Sequence, residues 1–364
     1  MKQKTSKGLK NTFRKSWLIL PVAAIATFVL TEWLASRPHL AERFYSNCFY
    51  PMIARLISPF SNLFNFSVGD IFYIAIIFSV LTLVILTIFR KIRPAKLMVF
   101  LFNLISIAYL SFYWLWGFNY FRQPFNERLE IGKSVTGTSQ FMDVFESIIE
   151  KANKYQISTS EEYSVQFLDS TIEAAYKRYA GFLKIGYPMG IRKPKHILFS
   201  NFFAKAGISG YYGPFLNEVH INRHIHRLEY PVVVAHEKAH QFGITSEAEA
   251  SFYAWFVCSH SDSDFLRYCA ALYVLRYFLN QGYKLEGFQE KVKLISEPVR
   301  NDLIGIRNHW IALRNEKIDH IASKANDAYL RSNRVEAGIE DYKGVIALVM
   351  DFNSDSLAQK RLGL

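Results

Sequence analysis

Residues 231–258 read PVVVAHEKAHQFGITSEAEASFYAWFVC, and within them His236-Glu237-Lys238-Ala239-His240 form an HExxH box. On a helix, residues i and i+4 share a face, so His236 and His240 can offer two imidazole nitrogens to one metal ion. Glu237 sits one position round, beside the open side of such an ion, where a carboxylate can take a proton from water. The flanks suit a helix: Pro231 fits a first helical position, Val232 to Ala235 are apolar, and Gly243 is a natural stop. The bland alternative is a buried helix whose two histidines are satisfied internally. The residues after Gly243 speak against it, since Thr245-Ser246-Glu247-Ala248-Glu249-Ala250-Ser251 begin a second helix with two more carboxylates. Two histidines and a glutamate leave a fourth position for water, the pattern of a catalytic Zn²⁺ and not of a structural one.

Either carboxylate could be the third ligand. Ser246 and Glu249 fit a capping box, which would occupy Glu249 at the N-cap amide. A ligand at Glu247 puts the small residues Ala250, Ser251 and Ala254 on the same face, whereas one at Glu249 brings Phe252, Tyr253 and Phe256 there. Glu247 is therefore the expected ligand, with Glu249 as its alternative and Glu237 as the catalytic base.

HExxH followed by Glu-x-x-Ala-(Asp/Asn) resembles the gluzincin metallopeptidases, with the second motif falling on Glu247, Ala250 and Ser251. More narrowly, AHEKAHQFGITSEAEASF is similar to an uncharacterised family of bacterial membrane-anchored proteins known as a domain of unknown function. The likeness extends to WGFNYFRQPF near Trp116, GISGYYGPFLNEVHIN before the motif, and AYLRSNRVEAGIEDYKGVIAL near the end. It implies an α+β, predominantly helical chain: three transmembrane helices followed by a zincin-like metallopeptidase domain with a small β-sheet. It also implies that the strand lining the cleft runs from Gly213 to Asn222. Two residues depart from the pattern. Lys238 is charged where zincins are usually uncharged, though at about 200° from His236 it can point away from a metal. Ser251 stands where Asp or Asn is usual and would orient a ligand less firmly.

The 364 residues are 51% hydrophobic and 16% aromatic, a composition that points to lipid. The net charge of +12 could suggest nucleic acid, but the excess is concentrated near the N-terminus. Residues 1–16 hold Lys2, Lys4, Lys7, Lys10, Arg14 and Lys15 without an acid, while residues 117–364 carry 30 basic and 28 acidic groups. A nucleic-acid partner loses its support.

Residues 17–36, 71–89 and 97–116 are each long enough to cross a hydrocarbon core of about 30 Å. A cleaved signal peptide ending at Leu34-Ala35-Ser36 is the rival for the first, whose apolar stretch is long for that role. Residues 37–70, aromatic-rich and broken by Pro51 and Pro59, read as short helices in an interfacial loop. The basic tail 1–16 and the loop Arg90, Lys91, Arg93, Lys96 belong on the cytoplasmic side by the positive-inside rule. Three spans then leave residues 117–364 as an extracytoplasmic domain on the inner membrane.

In that domain FMDVFESIIEKANKY reads as a helix, and Ser160-Glu161-Glu162 opens another through EYSVQFLDSTIEAAYKRYA. HILFSNFF after Lys195 reads as a strand, GYYGPFLNEVHIN as one or two more, and the chain after the motif as mainly helical. HINRHIH (His220, His224, His226) is a rival metal cluster, although its spacing suits a turn better. Tyr211, Tyr212, Tyr329, Tyr342 and His309 could each donate to an oxyanion. Cys258 and Cys269 would lie about 16 Å apart on one helix, too far to bridge, unless SHSDSD (259–264) breaks it. The expected function is a membrane-anchored zinc metallopeptidase acting on peptides or envelope proteins. The alternatives are a non-catalytic zincin-fold sensor or assembly factor, and a zinc hydrolase of a non-peptide bond.

Overall fold

In the computed structural model, residues 16–134, 137–156, 163–187, 190 and 192–363 are described. The basic tail and the helix start read at Ser160-Glu161-Glu162 lie outside them. The first long helix, α1 (Ile19–Ala35), continues a short turn Ser16–Leu18. After helical segments Pro38–Leu40 and Ala41–Phe49 come α2 (Tyr50–Asn62), α3 (Val68–Ile88) and α4 (Pro94–Leu115). Among the described residues three helices, Ser16–Ala35, Val68–Ile88 and Pro94–Leu115, are long and apolar enough to cross a membrane.

The second of these starts earlier than its charge-free run because Ser67 caps it, its side chain accepting from the Asp70 amide. Asp70 thus becomes a first-turn acid, favoured by the helix dipole. The third starts at Pro94, where proline loses no helical hydrogen bond.

α2 is amphipathic in an inverted sense. Tyr50, Ala54, Ser58 and Ser61 are buried against the rest of the protein, while Met52, Leu56, Phe60 and Leu63 face outward. The short helices expected over 37–70 are therefore present, with the apolar side out.

The rest of the chain builds on α5 (Thr138–Tyr155), α6 (Val165–Tyr179), β1 (Lys195–His196), α7 (Ser200–Lys205), β2 (Gly210–Gly213) and β3 (Glu218–Ile221). Then come α8 (Tyr230–Gln241), α9 (Glu247–Ser259), α10 (Asp264–Gly282), α11 (Glu297–Leu313), α12 (Glu316–Ser332) and α13 (Val345–Ser354). The chain is predominantly helical, with one small sheet among the described residues, ordered β1-β3-β2. β1 runs parallel to β3 and β2 antiparallel to it, Tyr211 opposite His220.

Two expectations change here. β3 has a neighbour on each side, so the sheet's edges are β1 and β2, and the 213–222 stretch as a whole is not an edge strand. HILFSNFF contributes only His196 to a strand; beyond it the chain turns into α7. Where the backbone leaves the sheet, the Asp70 carboxylate accepts the Leu198 amide at 2.8 Å.

α8 and α9 cross at the centre of the core. Val232, Val234, Ala235 and Ala239 of one meet Ala250, Phe252, Ala254 and Phe256 of the other, all fully buried. Burying each Val or Phe contributes about 1.5–3 kcal/mol. α9 ends at Ser259 and α10 begins at Asp264, so SHSDSD does break the helix; Cys258 and Cys269 are buried free thiols.

Candidate metal centre

α8 starts with Pro231 in its first turn and runs through Gln241. Gly243 then takes φ +85°, with the Asn119 amide where a side chain would be, so the chain reverses within a few residues. Ser246 opens α9, its hydroxyl accepting the Glu249 amide at 3.3 Å. The sharp turn that six intervening residues demand is thus made, and it brings Glu247 back over the histidines.

The geometry that results is close. Glu247 Oε2 lies 3.0 Å from His236 Nε2 and 3.3 Å from His240 Nε2, and the two nitrogens are 3.1 Å apart. Ligands bound tetrahedrally at about 2.0–2.1 Å would be about 3.3 Å apart, so these three atoms fit the corners around a zinc-sized ion. The chemistry of the donor set agrees. His240 Nδ1 donates to the Ile244 carbonyl at 2.7 Å, which leaves the Nε2 lone pair facing the cluster. On His236, Nδ1 lies 3.3 Å from Ser251 Oγ, which in turn is 2.9 Å from the Tyr273 hydroxyl. Ser251 orients His236 where a carboxylate is usual, and Tyr273 supports it from behind.

Glu249 is not at this cluster. Its carboxylate pairs with the buried Arg128. The expected capping box is therefore only half made: Ser246 caps the Glu249 amide, but the return arm goes to a guanidinium that needs a countercharge. Asp341 does the remaining capping, its Oδ2 accepting from Glu247 N at 2.7 Å, Ala248 N at 3.2 Å and the Ser246 hydroxyl at 2.9 Å.

Glu237 is 6% exposed. Burial pushes its carboxyl up to about 8, with the charge on Glu247 adding to the rise and His240 opposing it. His240 is opposed by burial, yet the Glu247 carboxylate lifts it to about 9, and Glu247 itself is held well below the usual carboxylate range by the two histidines. Gly210 permits this burial. A Cβ there would sit 3.1 Å from Glu237 Cγ and 2.9 Å from the His220 carbonyl, so β2 can press on α8 only without a side chain.

Lys238 points away from the cluster, as its position on the helix allows. It is fully buried, its ammonium 2.6 Å from Glu173 Oε1 and 2.8 Å from Asp169 Oδ1 on α6, and donating to the Arg192 carbonyl at 2.7 Å. A charge inside the helix is tolerated because two carboxylates from α6 meet it.

Segments far from the motif in sequence converge on it. Trp116, at the end of α4, donates from its indole to the His240 carbonyl at 2.9 Å. Tyr50 donates to the Gln241 carbonyl at 2.7 Å, and Arg122 to the Gly243 carbonyl at 3.2 Å. Near the C-terminus, the Tyr342 ring lies parallel to His236, centroids 6.3 Å apart, with its hydroxyl within reach of Glu247 and Asn326. Of the five oxyanion candidates, Tyr342 is the one at the cluster. Tyr211 bonds Asp70, Tyr212 bonds Asn217, Tyr329 bonds Tyr120, and His309 bonds the His224 carbonyl. The residues that the sequence does not single out are Asp341, Asn326 and Tyr273. Asp341 lies within AYLRSNRVEAGIEDYKGVIAL, a stretch that carries the family likeness, whereas nothing local marks the other two.

HINRHIH is not a metal site. His220 is buried against Ser67 and stacked on Tyr211, His224 meets Asn201, and the His226 ring lies against His309. Among the described residues, His236, His240 and Glu247 form the one group able to hold an ion.

A family model described as "Protein of unknown function (DUF3810)" matches residues 45–350. No curated protein and no solved structure matches the chain.

Proposed function

The chain belongs to the DUF3810 family of proteins of unknown function, and from its site we propose that it is a membrane-anchored zinc metallopeptidase of gluzincin-like, zincin-fold type. The observation that carries this is the convergence of His236 Nε2, His240 Nε2 and Glu247 Oε2 within about 3 Å of one another, beside the buried Glu237. Zinc held there would supply a Lewis acid for the scissile carbonyl and lower the pKa of a coordinated water towards about 7. Glu237 then takes up the proton on its carboxylate and hands it to the leaving amine. Tyr342 donates from its hydroxyl to the developing oxyanion.

An extended peptide would lie along β2. Ser209 and Asn222 are hydrogen-bonded partners, so by alternation Gly210 and Tyr212 direct their backbone groups away from β3. Trp116 ties His240 to the last turn of a membrane-spanning helix, which favours substrates at the bilayer surface, peptides or envelope proteins among them. In this reading the tail and the 90–96 loop are cytoplasmic, and residues 117–364 form the catalytic domain outside the inner membrane.

The test is to purify the full chain, because Tyr50, Ser67 and Asp70 bond into the sheet and the motif helix. Zinc content is measured together with turnover of a mixed peptide library, with and without chelator. Zinc without chelator-sensitive cleavage would sink the peptidase and leave the second reading, a metal-dependent sensor. That reading is favoured by one feature: His236, Glu237, His240 and Glu247 are each at most 9% exposed beneath Tyr342.

Glu247→Ala is expected to lose zinc and Glu249→Ala to keep it; the reverse stoichiometry reassigns the ligand. Tyr342→Phe keeps zinc and lowers kcat about 10²–10³-fold, as loss of an oxyanion donor does; an unchanged kcat removes Tyr342 from the mechanism. Reporter fusions after Phe89 and at Leu364 report opposite sides, and a cytoplasmic signal at Leu364 overturns the orientation.

A further inference from the structure

The run Leu198 to Phe202 has the composition of a buried strand, yet it lies outside the core. Leu198, Phe199 and Phe202 are 51%, 56% and 57% exposed. Three large apolar side chains grouped on one turn call for a partner.

Their place in the fold says which. The Leu198 amide donates to Asp70, in the first turn of α3, immediately before its apolar surface begins at Ile71 and Phe72. Upstream, the Lys193 amide donates to the Asn62 side chain at 3.0 Å, and Lys195 Nζ donates to the Ser61 carbonyl at 2.6 Å. Residues 193–198 are thus stitched along 61–70, beside the outward apolar face of α2 and the exposed Phe64 and Phe66. The apolar turn continues a surface that begins on a membrane-spanning helix.

Charge completes the pattern. From Arg192 to Asn217 there is no Asp or Glu. Lys193 and Lys205 are exposed on either side of the apolar turn. Arg223 is exposed next to it, its amide donating to Ser200 Oγ at 3.2 Å. An apolar tip ringed by cations is the surface that enters a headgroup layer carrying negative charge.

We propose that Leu198, Phe199 and Phe202 form a second membrane contact. They insert into the outer face of the bilayer while Lys193, Lys205 and Arg223 engage anionic lipid headgroups. The inference rests on the reading that α3 spans a membrane, and not on any catalytic activity. Its effect is to add a direct lipid contact beside the sheet, and with it the cleft edge β2, to the ties that Ser67 and Asp70 already make from the start of α3.

The experiment uses the full chain with the exposed Cys48 replaced by serine and single spin-labelled cysteines at 198, 199 or 202. The protein is reconstituted in phosphatidylcholine vesicles, alone or mixed with phosphatidylglycerol. Phe78→Cys on α3 is the lipid control and Leu357→Cys the aqueous one, both strongly exposed in the structure. The expected result is an oxygen-to-nickel accessibility ratio at 199 and 202 close to that at 78 and several-fold above that at 357. The ratio should rise with phosphatidylglycerol, and that rise should vanish when Lys193, Lys205 and Arg223 are changed to glutamine. A water-like ratio at 199 and 202 with a lipid-like one at 78 overturns the inference. Dipolar broadening between labels at 199 also overturns it, because it would put a second copy of the chain on this face. A water-like ratio at 78 removes the membrane-spanning reading itself.

Discussion

Glu237→Gln is expected to retain zinc and the fold while losing about 10²–10⁴-fold in peptide hydrolysis, the usual contribution of a positioned general base. Glutamine has the shape of a protonated glutamate, the form that burial favours in the metal-free site, with the carboxyl pushed up to about 8. The substitution therefore asks little of the surroundings. The sign of its stability effect comes from linkage. A folded-state pKa raised above the ordinary 4.5 means that the carboxyl's contribution is fully present below 4.5 and is lost as pH rises through about 8. The metal-free Gln variant should then gain on the parent in thermal unfolding as pH is raised over that window. Parental turnover in Glu237→Gln, with zinc bound, would end the proposed mechanism. His236→Ala should behave differently, losing the metal and the activity together.

Lys238→Ala is the substitution with the largest expected effect on folding. Its ammonium is the shared partner of Glu173 and Asp169 in a fully buried position, and removing one member of a buried ion pair typically costs about 3–5 kcal/mol. Burial raises Glu173, but Lys238 and Arg192 outweigh it and hold the carboxyl at about 2. Asp169 goes the other way, burial raising it against the pull of Lys238.

The Glu173 contribution is therefore present above its unfolded value of 4.5 and is lost as pH falls from there through about 2. Asp169 offsets part of that dependence. Without Lys238 much of the downward pull on Glu173 disappears, so the deficit of Lys238→Ala should shrink as pH is lowered through this window. Chemical denaturation of the purified chain at a series of pH values would measure it. A deficit that stays constant with pH would mean that lost packing, and not lost charge pairing, carries the effect.

Local sequence determined a good deal of this protein. Three mainly apolar runs, two of them without a charge and the first carrying only Glu32, each about as long as a bilayer is thick, predict the three apolar helices, because a helix apolar almost all round has no aqueous face. The four-residue spacing of His236 and His240, with Pro231 before and Gly243 after, predicts the helix and the shared face, because helix geometry is set within a turn or two. The preference for Glu247 comes from the same periodicity, and the structure brings that residue to the histidines. The capping box that would occupy Glu249 is only half present.

Only the tertiary structure decided what occupies Glu249, since Arg128 is 121 residues away and leaves no periodic trace. The same holds for Lys238, a departure from the motif until Glu173 and Asp169 meet it from α6. It holds for Tyr342 over His236 and Asp341 at the first turn of α9. HILFSNFF is the instructive failure: its apolar run satisfies a buried strand and an outward-facing apolar turn equally well. In the folded chain the Leu198 amide goes to Asp70, a carboxylate 128 positions earlier, and not to a neighbouring strand. Hydrophobicity records that a side chain avoids water, but whether protein or lipid receives it depends on where the folded chain holds the backbone.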